Sequence, residues 1–240
     1  MARVVLLSGC CKASSGGSAE MDVRYSFTTQ FLVGSAMFAR HAREIEDTTQ
    51  SVTEEIQADH RAFVVSAIMQ SVAAIEAEIS EIIIHGPGHQ LGSNGIDKDA
   101  RDFLLPLANV LDDCSSLERY ELVLHLLQKS SIDRGAEPFQ SADILVRLRN
   151  ALIHYKSVWG KELESKKLIK QLKQLRFEAP PFISKSSNFF PHKILCSSCA
   201  SWSVTTAKEF INRFYVHLNI RSPLKPYESR LTVPEIRRET

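Results

Sequence analysis

Apolar residues recur at helical spacing along residues 53–84, and this pattern constrains the fold more than any other feature. Its members are Val64, Ile68, Val72, Ile75, Ile79 and Ile82. Gaps of three and four residues bring side chains to one face of an α-helix. The segment 85–88, His-Gly-Pro-Gly, follows directly and contains strong helix breakers. The pattern therefore predicts one long helix with a sharp end.

Further segments carry helical signals, and no block of the chain is rich in β-forming residues. The predicted helices are residues 31–46, 97–112, 116–130, 141–159, 161–176 and 200–218. Ser116 is the expected N-cap of the helix at residues 116–130. The residues of that helix expected to face inward are Leu117, Tyr120, Leu124 and Leu127. Residues 180–195 are predicted to form an irregular surface loop. The predicted fold class is all-α.

Composition and charge narrow the possible functions. The chain has 240 residues, of which 44% are hydrophobic and 24% charged, as in an ordinary soluble globular protein. The net charge of +1 excludes a nucleic-acid binder that works by bulk electrostatics alone. A local basic run could follow an RNA backbone: Lys166, Lys167, Lys170, Lys173 and Arg176. A solvated helix face is the favoured interpretation, because Glu162 and Glu164 dilute the start of the run.

The two ends of the chain are predicted to lie outside a single domain at residues 21–220. Residues 1–20 are expected to be a disordered leader, and residues 221–240 a flexible tail. Cys10 follows a short apolar run and could be lipidated, although that run is shorter than a secretory core needs. No run approaches the roughly 18–20 apolar residues that a membrane span requires. We therefore expect no membrane association.

The cysteines predict neither a disulfide framework nor a metal centre. There are five, an odd number, which favours a reducing cytoplasm. Cys196 and Cys199 with His192 have a zinc-like spacing, but a structural zinc site needs four ligands. The favoured interpretation is a buried junction between loop and helix, with no metal and no cofactor.

Residues 147–156 read Arg-Leu-Arg-Asn-Ala-Leu-Ile-His-Tyr-Lys and concentrate polar groups in a helix that otherwise looks buried. This helix is expected to begin at Ser141 or Asp143 and to run to about Trp159. Burying so many polar groups costs several kcal/mol unless each finds a partner. On a helical wheel Arg147, Asn150 and His154 form one polar stripe. The stretch is therefore the best candidate for a functional site.

Two apolar arcs flank the polar stripe. The broad arc is expected to face the domain's own core and comprises Ile144, Leu145, Leu148, Ala151 and Leu152. The second arc holds Val146 and Ile153, with Arg149 at its far edge. A second apolar face suggests that another subunit covers it, although a second helix of the same chain could do so equally well. We expect Val146 and Ile153 to form a homodimer interface, where Arg149 of one chain could approach His154 of the other.

The segment Arg149-Asn150-Ala151-Leu152-Ile153-His154 resembles the arginine, polar residue, three-residue gap and histidine signature of HEPN domains. Flanking segments resemble the same group of prokaryotic HEPN-like proteins: residues 67–81 with a central Glu, 117–121 and 138–140 before the motif, and 190–192 and 199–202 with Phe210 after it. The resemblance covers residues 60–218. It implies a HEPN-like helical bundle with additional C-terminal helices, in which two motif helices face each other in a dimer.

The resemblance also implies an activity. Many members of the family are metal-independent endoribonucleases, often toxins or defence effectors that have an antitoxin partner; others bind nucleotides or proteins without cleaving. Carried over, Arg149 would stabilise the phosphate, Asn150 would orient it and His154 would act as general acid or base. Tyr155 and Lys156 are supporting candidates.

Elementary chemistry is consistent with this expectation. Cleavage of RNA through its own 2′-hydroxyl needs a proton acceptor, a proton donor and positive charge beside the phosphate. Histidine titrates near neutrality, and arginine offers a fixed charge with a bidentate fork. Glu76 lies inside the apolar sector of the long helix, and a structural ion pair with Arg147 or Arg149 is its favoured role. Arg147 is expected to be the structural arginine and Arg149 the chemical one.

Two other interpretations stay open. One is a HEPN-like module that binds a nucleotide or a protein without cleaving, which the near-neutral charge favours. The other is a helical scaffold in which the motif is only a polar network that locks a dimer. The intact set of Arg149, Asn150 and His154 favours the ribonuclease.

Overall fold

The structure, a computed structural model, describes residues 26–49, 51–86, 98–155 and 166–239. Within these ranges the chain forms eight α-helices, α1 to α8. The β-pairing described there is one isolated antiparallel bridge, between Phe177 and Arg238. The predicted all-α class is confirmed. The predicted leader at residues 1–20, with Cys10, lies outside the described residues.

The long helix predicted at residues 53–84 is α2, Glu54–His85. The Thr53 hydroxyl accepts the backbone N–H of Ile56 at 3.2 Å, which satisfies a donor that the first turn leaves open. Gly86 follows the helix with φ of 84°, a conformation that favours glycine. All six apolar residues of the sequence pattern are fully buried. The helix, its ends and its inward face are confirmed.

Helix α1, Phe27–Thr48, packs along α2 through small residues. The Ser35 hydroxyl donates to the backbone carbonyl of Ala67 at 2.7 Å and lies 2.7 Å from the Ser71 hydroxyl. A Cβ atom added at Gly34 would lie 2.1 Å from Oε1 of Gln70. The two helices therefore approach closely, and α1 is longer at both ends than the predicted segment 31–46.

Helix α8, Ser197–Leu218, completes the core by packing against both α1 and α2. It begins at Ser197 rather than at residue 200, and Asn219 ends it in the left-handed conformation with φ of 60°. Phe210, Ile211 and Phe214 are fully buried. The centre of the protein is thus a three-helix bundle, in which α1, α2 and α8 each pack against the other two and to which the shorter helices are added.

Helix α2 is long and apolar enough to cross a membrane by length and composition, which corrects the expectation that no run approaches that length. In its most apolar window 50% of the residues are buried inside the protein. Glu76, Glu78 and Glu81 lie within the helix. Because the core helix of a soluble protein passes the same test, this finding alone assigns no location.

The prediction of a single helix at residues 97–112 is wrong. The structure has α3, Lys98–Leu104, a 3₁₀ turn at Leu105–Leu107 and α4, Ala108–Asp112. Pro106 lies in the 3₁₀ turn, where its missing N–H is better tolerated than inside an α-helix. The chain therefore changes helix type at this proline.

Helix α5, Ser116–Leu126, is shorter than predicted and is capped by Ser115 rather than by Ser116. The backbone N–H and the hydroxyl of Ser115 donate to Oε2 of Glu118 at 3.0 and 2.6 Å. In a capping box, the side chain of the third helical residue bonds back to the N-cap residue in this way. Of the predicted inward residues Leu117, Tyr120 and Leu124 are buried, and Leu127 is half-buried.

The helix with the polar motif is α6, Phe139–Ile153. It begins before Ser141 and ends at Ile153, not near Trp159, since His154 has already left helical geometry. Residues 156–165 lie outside the described residues. The helix predicted at 161–176 is described as α7, Lys167–Gln174. Residues 180–195, predicted as a surface loop, include a turn at Phe189–Lys193 in which the Phe190 backbone is extended, and three buried apolar side chains: Phe190, Ile194 and Leu195.

Residues 221–239 pack against the helices, which corrects the expectation of a flexible tail. Leu224 and Leu231 are each 1% exposed. Nη1 of Arg40 donates to the backbone carbonyl of Thr232 at 2.7 Å. Nη1 of Arg237 donates to Oδ1 of Asp47 at 2.8 Å. The segment thus belongs to the folded part of the chain, because it adds two side chains to the core and polar contacts to α1.

Candidate functional site

Helix α6 turns the predicted broad apolar arc toward the core. Leu145 and Leu148 are fully buried, and Ile144, Ala151 and Leu152 are half-buried. Apolar residues at gaps of three and four explain this orientation. The polar stripe therefore lies away from the core, toward the surface of the domain.

Glu76 was expected to pair with Arg147 or Arg149, and in the structure its partner is Arg149. Nη2 of Arg149 donates to Oε1 of Glu76 on α2. The Arg149 side chain is 19% exposed and that of Glu76 is 36% exposed, so Glu76 is not the buried carboxylate that its apolar sector suggests. The pair joins α6 to α2 and holds the guanidinium in one orientation.

Arg147 has different partners and lies nearer to solvent. Its Nη1 atom donates to Oδ2 of Asp143 at 3.3 Å and to Oε1 of Gln171 at 2.9 Å. Asp143 is one turn back on the same helix, and Gln171 is on α7. These bonds attach α7 to the motif helix.

The other motif residues lie at the exposed end of α6. Asn150, His154 and Tyr155 are all exposed. The backbone N–H of His154 donates to the carbonyl of Asn150 at 3.0 Å, which places the imidazole directly after the last helical turn. The Tyr155 ring lies 6.0 Å from the Phe190 ring, centroid to centroid. Lys156 lies outside the described residues.

The two residues expected at a dimer interface differ in exposure. Ile153 is 53% exposed, next to His154. Val146 is half-buried and packs against the core of its own chain. Only Ile153 therefore presents an uncovered apolar surface, because the core covers much of Val146.

The Arg149–Glu76 pair can be tested by a double-mutant cycle. We expect Glu76→Gln and Arg149→Gln to couple by about 0.5 kcal/mol in urea unfolding, since partly exposed pairs are screened by solvent. The i,i+4 pair of Asp143 and Arg147 is the matched control and should couple by a similar amount. Strictly additive effects of the first two substitutions would contradict the pairing.

Sequence reasoning missed the carboxylate that is fully buried in α2. Glu78 is 0% exposed and accepts a hydrogen bond from the Tyr215 hydroxyl on α8. Burial, and then the nearby Glu78 carboxylate, raises the pKa of Tyr215 well above its ordinary value. The signal was present in the sequence: Glu78 lies three residues after Ile75 and four before Ile82, both fully buried.

A second polar cluster, also missed, joins α1 to the start of α8. The Glu46 carboxylate accepts the backbone N–H of Ser197 at 2.7 Å and lies 2.9 Å from Nε2 of His60. Nη2 of Arg43 donates to the backbone carbonyl of Glu235 at 2.8 Å. Arg43 and Glu46 line a small cavity of about 120 Å³. The cluster therefore joins α1 to α2, to the start of α8 and to the C-terminal segment.

Cys196 and Cys199 lie where the preceding loop joins α8. Cys196 is the N-cap of α8, and its Sγ atom accepts the backbone N–H of Cys199 at 3.4 Å. Both are fully buried free thiols, and burial raises the pKa of Cys196 to about 12. In the described ranges no group of three or more His, Cys, Asp or Glu residues is placed to hold a metal ion.

A scan against models of protein families, a search of curated proteins and a search of solved structures each found no match to this chain.

Proposed function

We propose that this protein is a metal-independent endoribonuclease of the HEPN type that acts as a homodimer. The observation that carries the proposal is the arrangement at the end of α6. Asn150 and His154 are exposed there, beside the exposed Ile153. Arg149 directly precedes Asn150, and its guanidinium is held by Glu76 of α2. The site offers a titratable group, an amide and a fixed positive charge within one short segment.

The residues suit cleavage through the 2′-hydroxyl of RNA. His154 can accept a proton from the attacking hydroxyl or donate one to the leaving oxygen. Arg149 can stabilise the charge that develops on the phosphate, with Glu76 as its positioning residue. Asn150 can donate to a phosphate oxygen. Two copies of the site would supply an acid and a base, which one histidine cannot provide at the same moment.

The Arg149–Glu76 pair also favours a second candidate, a HEPN-like module that binds a nucleotide or a protein without cleaving. A carboxylate already neutralises the guanidinium charge, and this reduces the attraction for a phosphate. In this candidate the pair is purely structural, and Asn150 and His154 contact the ligand without proton transfer.

Cleavage by the wild-type protein separates the candidates. We expect the purified protein to cut single-stranded RNA in the presence of a chelator and to leave 2′,3′-cyclic phosphate ends, because in the proposed reaction the 2′-hydroxyl of the RNA attacks the phosphate and the 5′-oxygen leaves. Mass spectrometry of the product ends is the measurement. A broad RNA pool that stays intact would contradict the ribonuclease and favour the binding module. Growth arrest on expression would support a toxin or defence role with an antitoxin partner.

Substitution of Ile153 tests the composite cleft. We expect Ile153→Asp to convert a dimer into a monomer, since a charge would have to be buried in the interface, and to abolish cleavage with it. Light scattering at micromolar concentration measures the mass. Val216→Asp, at a site 67% exposed on α8, is the matched control and should stay dimeric. Val146→Asp is less informative, because Val146 also packs in its own chain. A monomeric wild type would rule out the composite cleft.

A further inference from the structure

Helix α7 presents a basic surface next to the candidate site. The cations of residues 166–176 are all exposed: Lys166, Lys167, Lys170, Lys173 and Arg176. No Asp or Glu interrupts these eleven positions. The glutamates that dilute the run in the sequence, Glu162 and Glu164, lie outside the described residues. The described part of the run is thus uniformly positive.

The lysines share one side of the helix because the opposite side is buried. Ile169 and Leu172 are 3% and 0% exposed and attach α7 to the core. At about 100° per residue, Lys167, Lys170 and Lys173 fall within roughly a third of the circumference, between the positions of Ile169 and Gln171. This arc is the basic face of α7.

Three contacts place the basic face beside the end of α6. Nη1 of Arg147 donates to Oε1 of Gln171 at 2.9 Å, at one edge of α7. At the other edge Nζ of Lys173 lies 5.6 Å from the Phe189 ring centroid. The neighbouring Phe190 contacts Tyr155, whose ring is 43% exposed and which directly follows His154. These contacts connect α7 to Tyr155 through the segment that holds Phe189 and the buried Phe190.

We infer that the basic face of α7, together with Tyr155, binds the backbone and a base of single-stranded RNA and directs the strand to His154. This inference rests on the proposed function, because it assumes an RNA ligand. The charge is complementary to phosphate, and proteins that bind single strands combine positive charge along the backbone with exposed aromatic rings on which bases stack. The near-neutral net charge of +1 makes such a local surface the place where affinity would arise.

Binding can be measured apart from cleavage in a His154→Ala background. The probe is a short fluorescein-labelled single-stranded RNA of mixed sequence, followed by fluorescence anisotropy over a range of salt concentrations. Lys167→Gln with Lys170→Gln is expected to weaken binding about tenfold and to flatten the salt slope by about 1.4, at about 0.7 per phosphate contact. Lys129→Gln with Arg213→Gln removes the same charge from exposed sites elsewhere and should leave both quantities unchanged. Circular dichroism checks that each variant is folded.

The outcomes distinguish this inference from the proposed function. Equal affinity of the α7 variant and its control overturns the inference, even if the wild type cuts RNA. A selective loss of affinity supports the inference, even if the wild type cuts nothing and the ribonuclease is rejected. Binding to phosphatidylserine vesicles that depends on Lys167 and Lys170, without any RNA binding, overturns it in favour of an anionic membrane surface.

Discussion

Replacing His154 with alanine is expected to lower the rate of RNA cleavage by a factor of about 10² to 10⁴, the usual contribution of a general acid or base. The imidazole lies at the exposed end of α6, and histidine is the one residue type in the segment from Arg149 to His154 that commonly serves as a general acid or base. Cleavage of labelled RNA under single-turnover conditions is the measurement. Stability should change little, because the side chain is exposed.

The matched control for this experiment is His125→Ala. His125 is likewise exposed, on α5, so its removal tests whether the loss of any surface histidine matters. We expect this variant to cut RNA at the wild-type rate. Cleavage that survives His154→Ala unchanged would show that the activity arises elsewhere or from a contaminant.

Phe210→Ala is expected to reduce the free energy of unfolding by about 3–5 kcal/mol, as for other large core truncations. Phe210 is fully buried, and its ring centroid lies 4.8 Å from that of Tyr120 and 6.1 Å from that of Phe139. One side chain thus joins α8 to α5 and to the start of α6. Such a loss is a large fraction of the 5–15 kcal/mol that stabilises a typical domain.

Urea unfolding followed by circular dichroism measures this effect. Val216→Ala on the same helix is the control, since Val216 is 67% exposed, and it should change stability by no more than about 0.5 kcal/mol. Phe210→Leu retains apolar bulk and gives a smaller, measurable loss if the alanine variant does not fold. A loss below about 1 kcal/mol for Phe210→Ala would contradict the packing described here.

Features that depend on neighbours in the sequence were predicted well. The ends of α2 follow from Thr53 and Gly86, because capping is a local hydrogen bond and a local backbone conformation. The inward faces of α2 and α6 follow from the spacing of apolar residues. Boundaries were less accurate where two local solutions compete: Ser115 rather than Ser116 caps α5, and Pro106 changes the helix type.

The candidate site was predicted only in part. The exposure of Asn150 and His154 agrees with a polar stripe, but the helix ends at Ile153 and places His154 beyond it. Ile153 and Val146 lie on one arc of the wheel, yet the core covers Val146 and leaves Ile153 exposed. A helical wheel gives the direction of a side chain around its own helix. It does not show which other elements of the fold pack against that side chain and bury it.

By itself the sequence determined the all-α class, the central helix α2 and the segment in which Arg149, Asn150 and His154 lie together. These follow from interactions between residues a few positions apart. Only the tertiary structure decided that Glu76 pairs with Arg149 rather than Arg147, across 73 positions of the chain. It also decided that Glu78 is the buried carboxylate and that residues 221–239 pack on α1. The reason is physical: such contacts depend on how helices are placed against one another, and helical periodicity carries no information about that placement.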